Sequence, residues 1–268
     1  MADDGGWSPV VTITFGECAE NHVGMQKVGE QGQIGLDWGD LEGAKEQMEE
    51  MGAKCDLIDL CQALSNSSIT PDEEASVLIV RNGVDVLLGD GSADALLASL
   101  TDLEWDTKAK MKKGRVVEKR ARHNLCFGDE GQDPDYEAGR GTIVAFHDLP
   151  LLSQIRDLLP TLLGPQCDHL LAEGNLYFSP DCGIRFHGDA ERKIVVALRL
   201  GGDMPLDYHW FHHSHPVGSR VELMLRHGDI YVMSEKATGW DWKLDPQIPT
   251  LRHAAGASSF RTIRRPHQ

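Results

Sequence analysis

No stretch of the sequence approaches the roughly 18 consecutive apolar residues of a membrane-spanning helix, so no helical membrane segment is expected. The opening residues 1–6 have neither a basic nor an apolar region, and no secretory signal is expected there. The 6 cysteines form no CxxC pair and no regular framework, which favours a reduced intracellular compartment, cytoplasmic or nuclear. Basic side chains are scarce in the first hundred residues, which hold 19 acidic against 4 basic groups, a balance of −15. The rest of the chain holds 23 against 22, a balance of −1, so the net charge of −16 belongs to the N-terminal part. A uniform charge of that size would argue against a polyanionic substrate, whereas a neutral second part leaves one open.

At 268 residues the chain is long enough for one large β domain or two smaller ones. Residues 8–15 read as a strand rich in β-branched side chains, and residues 16–35 as loop or a short helix. Leu41 to Met51 reads as a helix with Asp40 as a possible N-cap, followed by short strands at 54–60 and 76–80. This acidic α/β region, residues 1–75, has no GxGxxG and no P-loop, and a packing or partner-binding role is expected of it. A helix is expected from Ala93 to Trp105, and an amphipathic one from Leu149 to Leu163. Then eight short strands follow without intervening helices, at 170–178, 183–189, 193–200, 206–211, 220–226, 229–234, 250–254 and 259–264. Such a series points to two facing antiparallel sheets of jelly-roll type.

Within residues 182–189 stands a His-x-Asp pair, His187 and Asp189, at a strand end. Side chains two apart on a strand share a face, so an imidazole and a carboxylate can meet at one point. His253 is the candidate third ligand. Two histidines and one carboxylate on one side of an ion make the facial triad of non-haem iron oxygenases. The plainer reading is a strand-end histidine and a turn aspartate without a metal.

The neighbours come in an informative order. Asn175-Leu-Tyr177 precedes the pair, and Arg261, Arg264 and Arg265 follow His253. Asn-x-Tyr, His-x-Asp, distal His, then Arg: this series resembles the AlkB-like family of Fe(II)/2-oxoglutarate dioxygenases, over about residues 76–265. The resemblance implies an α+β protein whose core, about 170–265, is a double-stranded β-helix with flanking helices. It implies His187, Asp189 and His253 as ligands of Fe(II), and Asn175 and Tyr177 as hydrogen-bonding partners of 2-oxoglutarate. It places a guanidinium for the cosubstrate's far carboxylate on the last strand, with Arg261 first and Arg264 second, while Arg265 stays open. Its chemistry consumes molecular oxygen and the keto acid, releases CO₂ and succinate, and oxidises a C–H bond.

Between residues 108 and 122 lie eight basic side chains opposed by Glu118. They either meet a phosphate backbone or balance the acidic region. The resemblance implies that residues 106–142 form a substrate lid, with Tyr136 as a contact and DNA or RNA as the partner. Arg185, expected on the face of His187, Glu191 and Trp240 are further candidate substrate contacts. In the family two more acids often follow the His-x-Asp. Glu191 matches one and Arg192 reverses the other, which puts base recognition in doubt. The histidines at 209, 212, 213 and 215 are read as a strand connection that could bind adventitious metal.

The leading expectation is therefore oxidation of an alkylated, methylated nucleobase. The same chemistry on a protein or small molecule is the alternative. A non-enzymatic binding module and a zinc hydrolase rank below them.

Overall fold

The computed structural model describes residues 7–263. The chain begins with β1 (Val10–Gly16), β2 (Cys18–Glu20), β3 (Lys27–Gly29), α1 (Trp38–Glu50), β4 (Lys54–Asp59) and β5 (Ser76–Arg81). Next come α2 (Gly83–Leu88), α3 (Ser92–Thr101), β6 (Lys108–Lys110), β7 (Val116–Glu118), β8 (His123–Gly128), β9 (Ile143–Ala145) and α4 (Pro150–Leu163). The last part is β10 (Leu171–Tyr177), β11 (Gly183–His187), β12 (Val195–Gly201), β13 (Met204–His212), β14 (His215–Leu225), β15 (Ile230–Met233), α5 (Glu235–Thr238), β16 (Thr250–Gly256) and α6 (Ser258–Arg261).

The fold is α+β and mostly strand. An eight-stranded sheet has the order β4-β5-β15-β12-β1-β10-β8-β9, and a four-stranded sheet the order β11-β16-β13-β14. Every neighbouring pair in the two sheets is antiparallel except β8 and β9. Strand alternation divides the large sheet into two apolar faces. Val11, Ile13, Phe15, Val196 and Leu198 face α1, α3 and α4, whose apolar sides supply Leu41, Leu96 and Leu152. Val10, Val77, Val195 and Ala197 face the small sheet, which supplies Leu206, Tyr208, Trp210 and Leu251. The result is helices, large sheet and small sheet in three layers. Among the described residues no helix is long and apolar enough to cross a membrane.

Local chemistry sets the element ends. Asp37, not Asp40, caps α1. Its carboxylate accepts from the Asp40 amide at 2.9 Å while the Asp40 carboxylate accepts from the Asp37 amide at 3.0 Å. Pro150 opens α4, where its missing N–H costs nothing, and Gly164 follows the last turn with φ of 97°. His213 and Ser214, both at positive φ (49° and 63°), make the tight turn between β13 and β14.

Two expectations about the fold are corrected. The described residues of the expected N-terminal region, 7–75, do not stand apart from the rest of the fold. β1 lies in the middle of the large sheet between β12 and β10, and β4 and β5 extend the same sheet. Nor do the described residues of the expected final strand, 259–263, form a strand. Residues 258–261 form α6.

Candidate metal centre

Two neighbouring strands of the small sheet and the loop after one of them bring the three expected ligands together. His187 ends β11 and stands opposite His253 of β16 in the register. Asp189 follows in a loop held by its own amide, which donates to the Thr238 carbonyl at 2.9 Å. Gly188 allows that loop to lie on residue 239, because a Cβ at Gly188 would collide with the Gly239 carbonyl. His187 Nε2 lies 3.5 Å from Asp189 Oδ1 and His253 Nε2 lies 3.7 Å from the same oxygen. Among the described residues this is the one set of three His, Cys, Asp or Glu side chains whose ligand atoms converge, all within 4.8 Å of one another.

The surroundings set the protonation of the three side chains. His187 Nδ1 lies 2.8 Å from the Arg185 carbonyl and 3.1 Å from that of His253. A proton on Nδ1 satisfies both and leaves the Nε2 lone pair facing Asp189. Burial, helped by Arg122, lowers the His187 pKa to about 4, and burial holds His253 well below its ordinary value. Both imidazoles are thus neutral, as ligands must be. Burial pushes Asp189 up to about 7 against the pull of Arg192. Arg192 is itself buried, 2.7 Å from Glu173, 2.9 Å from Glu191 and 3.9 Å from Asp189.

The ligands open into a cavity of about 60 Å³ between the sheets. Asn175 and Tyr177 line it from β10, as expected of an i, i+2 pair. The Asn175 side-chain oxygen accepts from Arg122 at 2.5 Å and Asn124 at 2.7 Å, and its nitrogen donates to Glu173 at 3.1 Å. The residue that sequence reasoning misses is Arg199 of β12. It lines the same cavity, it is 1% exposed, and its Nε and Nη1 have no hydrogen-bond partner. Among the described residues no carboxylate pairs with it within 4 Å. Its signal is a lone charge within the apolar run 194–200, on the inward face with Val195 and Ala197.

The other expected contacts lie elsewhere. Arg261 sits on α6 and pairs with Asp207 at 2.9 Å and Glu222 at 2.6 Å, so its charge is already matched outside the cavity. Arg264 and Arg265 fall outside the described residues. Arg185 does not share the face of His187, because the register shifts between Ile184 and His187 and turns Ile184 inward instead. Arg185 lies exposed, with its guanidinium 5.1 Å from the Phe260 ring centre. Tyr136 donates to Asp106 at 2.7 Å, away from the cavity lining. Trp240 packs under the Lys193 ammonium at 4.1 Å, and Glu191 is held by Arg192.

Of the basic stretch, Lys119 is buried against Asn21 at 2.6 Å, and burial lowers its pKa to about 8. Arg122 turns towards Asn175, while Lys108, Lys112, Lys113, Arg115 and Arg120 remain exposed.

No protein-family model matches the chain. It is 45% identical, over 251 residues, to the uncharacterized protein R156 of Acanthamoeba polyphaga mimivirus. That match spans 93% of this chain and 96% of the viral protein, so the chain belongs to the same protein family as the mimivirus protein.

Proposed function

We propose that the protein is an Fe(II)- and 2-oxoglutarate-dependent dioxygenase that oxidises a C–H bond. The observation that carries this reading is the meeting of His187, Asp189 and His253 in a cavity that also holds a buried, unpaired arginine. The ligand set alone also suits zinc. Arg199 favours the oxygenase reading, because a buried guanidinium that no carboxylate pairs fits the far carboxylate of an anionic cosubstrate. The fold proposed is a double-stranded β-helix. One wall would be β11-β16-β13-β14 and the other β15-β12-β1-β10, with β1 standing where the last strand of the AlkB-like core belongs.

With iron and the keto acid bound, the site supplies oxidation of a C–H bond by O₂, with CO₂ and succinate released. The chain's own part is to bind and orient. His187, fixed through Nδ1, presents Nε2, and Arg192 restrains the Asp189 carboxylate. Arg199 offers Nε and Nη1 as a planar fork to a far carboxylate. Tyr177 and Tyr231 line the same cavity and add phenol groups.

For substrate, the exposed bases of the 108–120 segment support a methylated nucleobase in DNA or RNA. The engagement of Glu191 by Arg192 supports the second reading, the same chemistry on a protein or small molecule. Succinate release, measured with Fe(II) and 2-oxoglutarate against methylated DNA, methylated RNA and free nucleosides, tests the proposal. Turnover is expected in the wild type and absent in Asp189→Ala. Equal turnover in both sinks the catalytic reading.

A further inference from the structure

A second cavity, of about 180 Å³, lies on the opposite side of the four-stranded sheet from the metal ligands. Phe211, Ser214, Trp242, Lys243, Thr250 and Arg252 line it. Arg252 is the neighbour of His253, and strand alternation sends it outward as His253 goes inward. Its guanidinium carbon lies 4.3 Å from the Phe211 ring centre and 5.1 Å from that of Trp242. The rings hold the fork in place, yet its Nε is buried without a partner. Among the described residues no carboxylate comes within ion-pairing distance of Arg252 or of Lys243, whose ammonium lies 4.6 Å from the Trp242 ring centre. The one acid in the lining, Asp245, accepts from the Gln247 amide at 2.8 Å.

One more donor belongs to the lining: Trp242 Nε1 is buried and unpaired. Arg252 is half-buried with a buried Nε, and a partly desolvated cation without a counter-charge carries a cost that an anion would offset. A carboxylate needs a single fork. This cavity offers two cations and two hydroxyls around a larger space, which suits the several oxygens of a phosphate. Its flat indole and phenyl walls suit a ring carried next to that phosphate.

We propose that this cavity binds the phosphoryl group of a nucleotide, with Arg252 and Lys243 as its cations. The nucleotide is either free or part of a single strand. The assignment does not rest on the metal chemistry. The occupant would nevertheless lie beside the metal loop, since Trp242 packs against Gly188, between His187 and Asp189.

The test is titration of the full chain with inorganic phosphate, a nucleoside 5′-monophosphate, the parent nucleoside and a short single-stranded oligonucleotide, followed by calorimetry and tryptophan fluorescence. Phosphate-bearing probes should bind and the nucleoside should not. Arg252→Met, which keeps the packed stem, should weaken binding about tenfold or more, and Lys243→Ala should weaken it less. Tighter binding of the oligonucleotide than of the mononucleotide identifies a strand as the source, and equal binding a free nucleotide. Lack of binding by every phosphate probe at millimolar concentration overturns the proposal. So does equal affinity in the wild type and both variants. Should Arg252→Met not fold, the exposed Lys243 decides: unchanged affinity in Lys243→Ala overturns it.

Discussion

Arg199 stands directly opposite Thr12, across the neighbouring strands β12 and β1. Both side chains reach the cavity, and Thr12 Oγ1 is buried without a partner, like Nε and Nη1 of the arginine. An AlkB-like core would deliver its guanidinium from the last strand. On the proposed reading the guanidinium comes instead from β12, beside the central strand β1. Arg199→Met should therefore weaken 2-oxoglutarate binding by about tenfold to hundredfold, the range for a lost hydrogen bond to a charged group. Metal affinity should hold. Arg261→Met should leave cosubstrate affinity unchanged, since Arg261 is paired with Asp207 and Glu222. Calorimetry on the metal-loaded protein checks both, and the reverse ranking returns the clamp to the C-terminal arginine.

The His187 and Asp189 pair is legible in the sequence because its geometry is local, whereas His253, far off in the chain, is reached only through the order of motifs that the resemblance supplies. His187 and Asp189 are two apart at a strand end, and most of the strands around them have lengths that alternation and Gly turns reveal. What stays hidden depends on distant partners. Nothing within β1 says that it pairs with residues 171–177 on one side and 196–201 on the other. The run 259–264 alternates like a strand, but α6 packs on β11 and β16, and Asp207 and Glu222 capture Arg261. The irregular register after Ile184 is likewise invisible to a rule of two, which puts Arg185 on the wrong face.

The pH dependence of metal binding should follow Asp189, not the histidines. Burial raises this carboxyl from 3.8 to about 7, while His187 stays neutral down to about 4. In the metal-free protein a raised carboxyl contributes stability that is full below the unfolded value and lost as pH rises through about 7. A bound metal needs the carboxylate, so its affinity should fall as pH drops below about 7, with a proton released on binding. The metal-induced rise in Tm should accordingly be larger at pH 8 than at pH 6. Melting curves with and without metal measure it. Equal rises at both values would remove Asp189 from the site.

The central place of β1 predicts that no fragment beginning at residue 76 folds. Val10, Val11, Ile13 and Phe15 are each no more than 1% exposed, and they face both layers of the core. At roughly 1.5–3 kcal/mol for each buried apolar side chain, their loss matches much of the 5–15 kcal/mol that holds an ordinary domain together. Two long backbone ladders go with them. A truncated chain of residues 76–268 should show no cooperative thermal transition by circular dichroism. A sharp transition would restore the expected domain boundary at residue 76.

Gly188 offers a test of the metal loop that touches no ligand atom. Its Cα passes so close to Gly239 that an added methyl would meet the Gly239 carbonyl and Cδ1 of Trp242. Gly239 is itself hemmed in, at φ of 69° and so near the Leu251 carbonyl that a Cβ there would collide with it. Gly188→Ala must then displace the segment that carries Asp189, whose backbone N–H donates to the Thr238 carbonyl and holds the carboxylate beside the two imidazoles. Overpacking of this kind costs about 1–3 kcal/mol, and ligand geometry tolerates little displacement. Metal affinity should drop at least about tenfold with only a modest loss of Tm. Gly43→Ala, on an open helix surface with nothing within 4 Å of the new methyl, is the control and should leave metal affinity unchanged. Equal metal affinity in the two variants would show that the His-Asp-His geometry does not depend on the loop's close approach to Gly239.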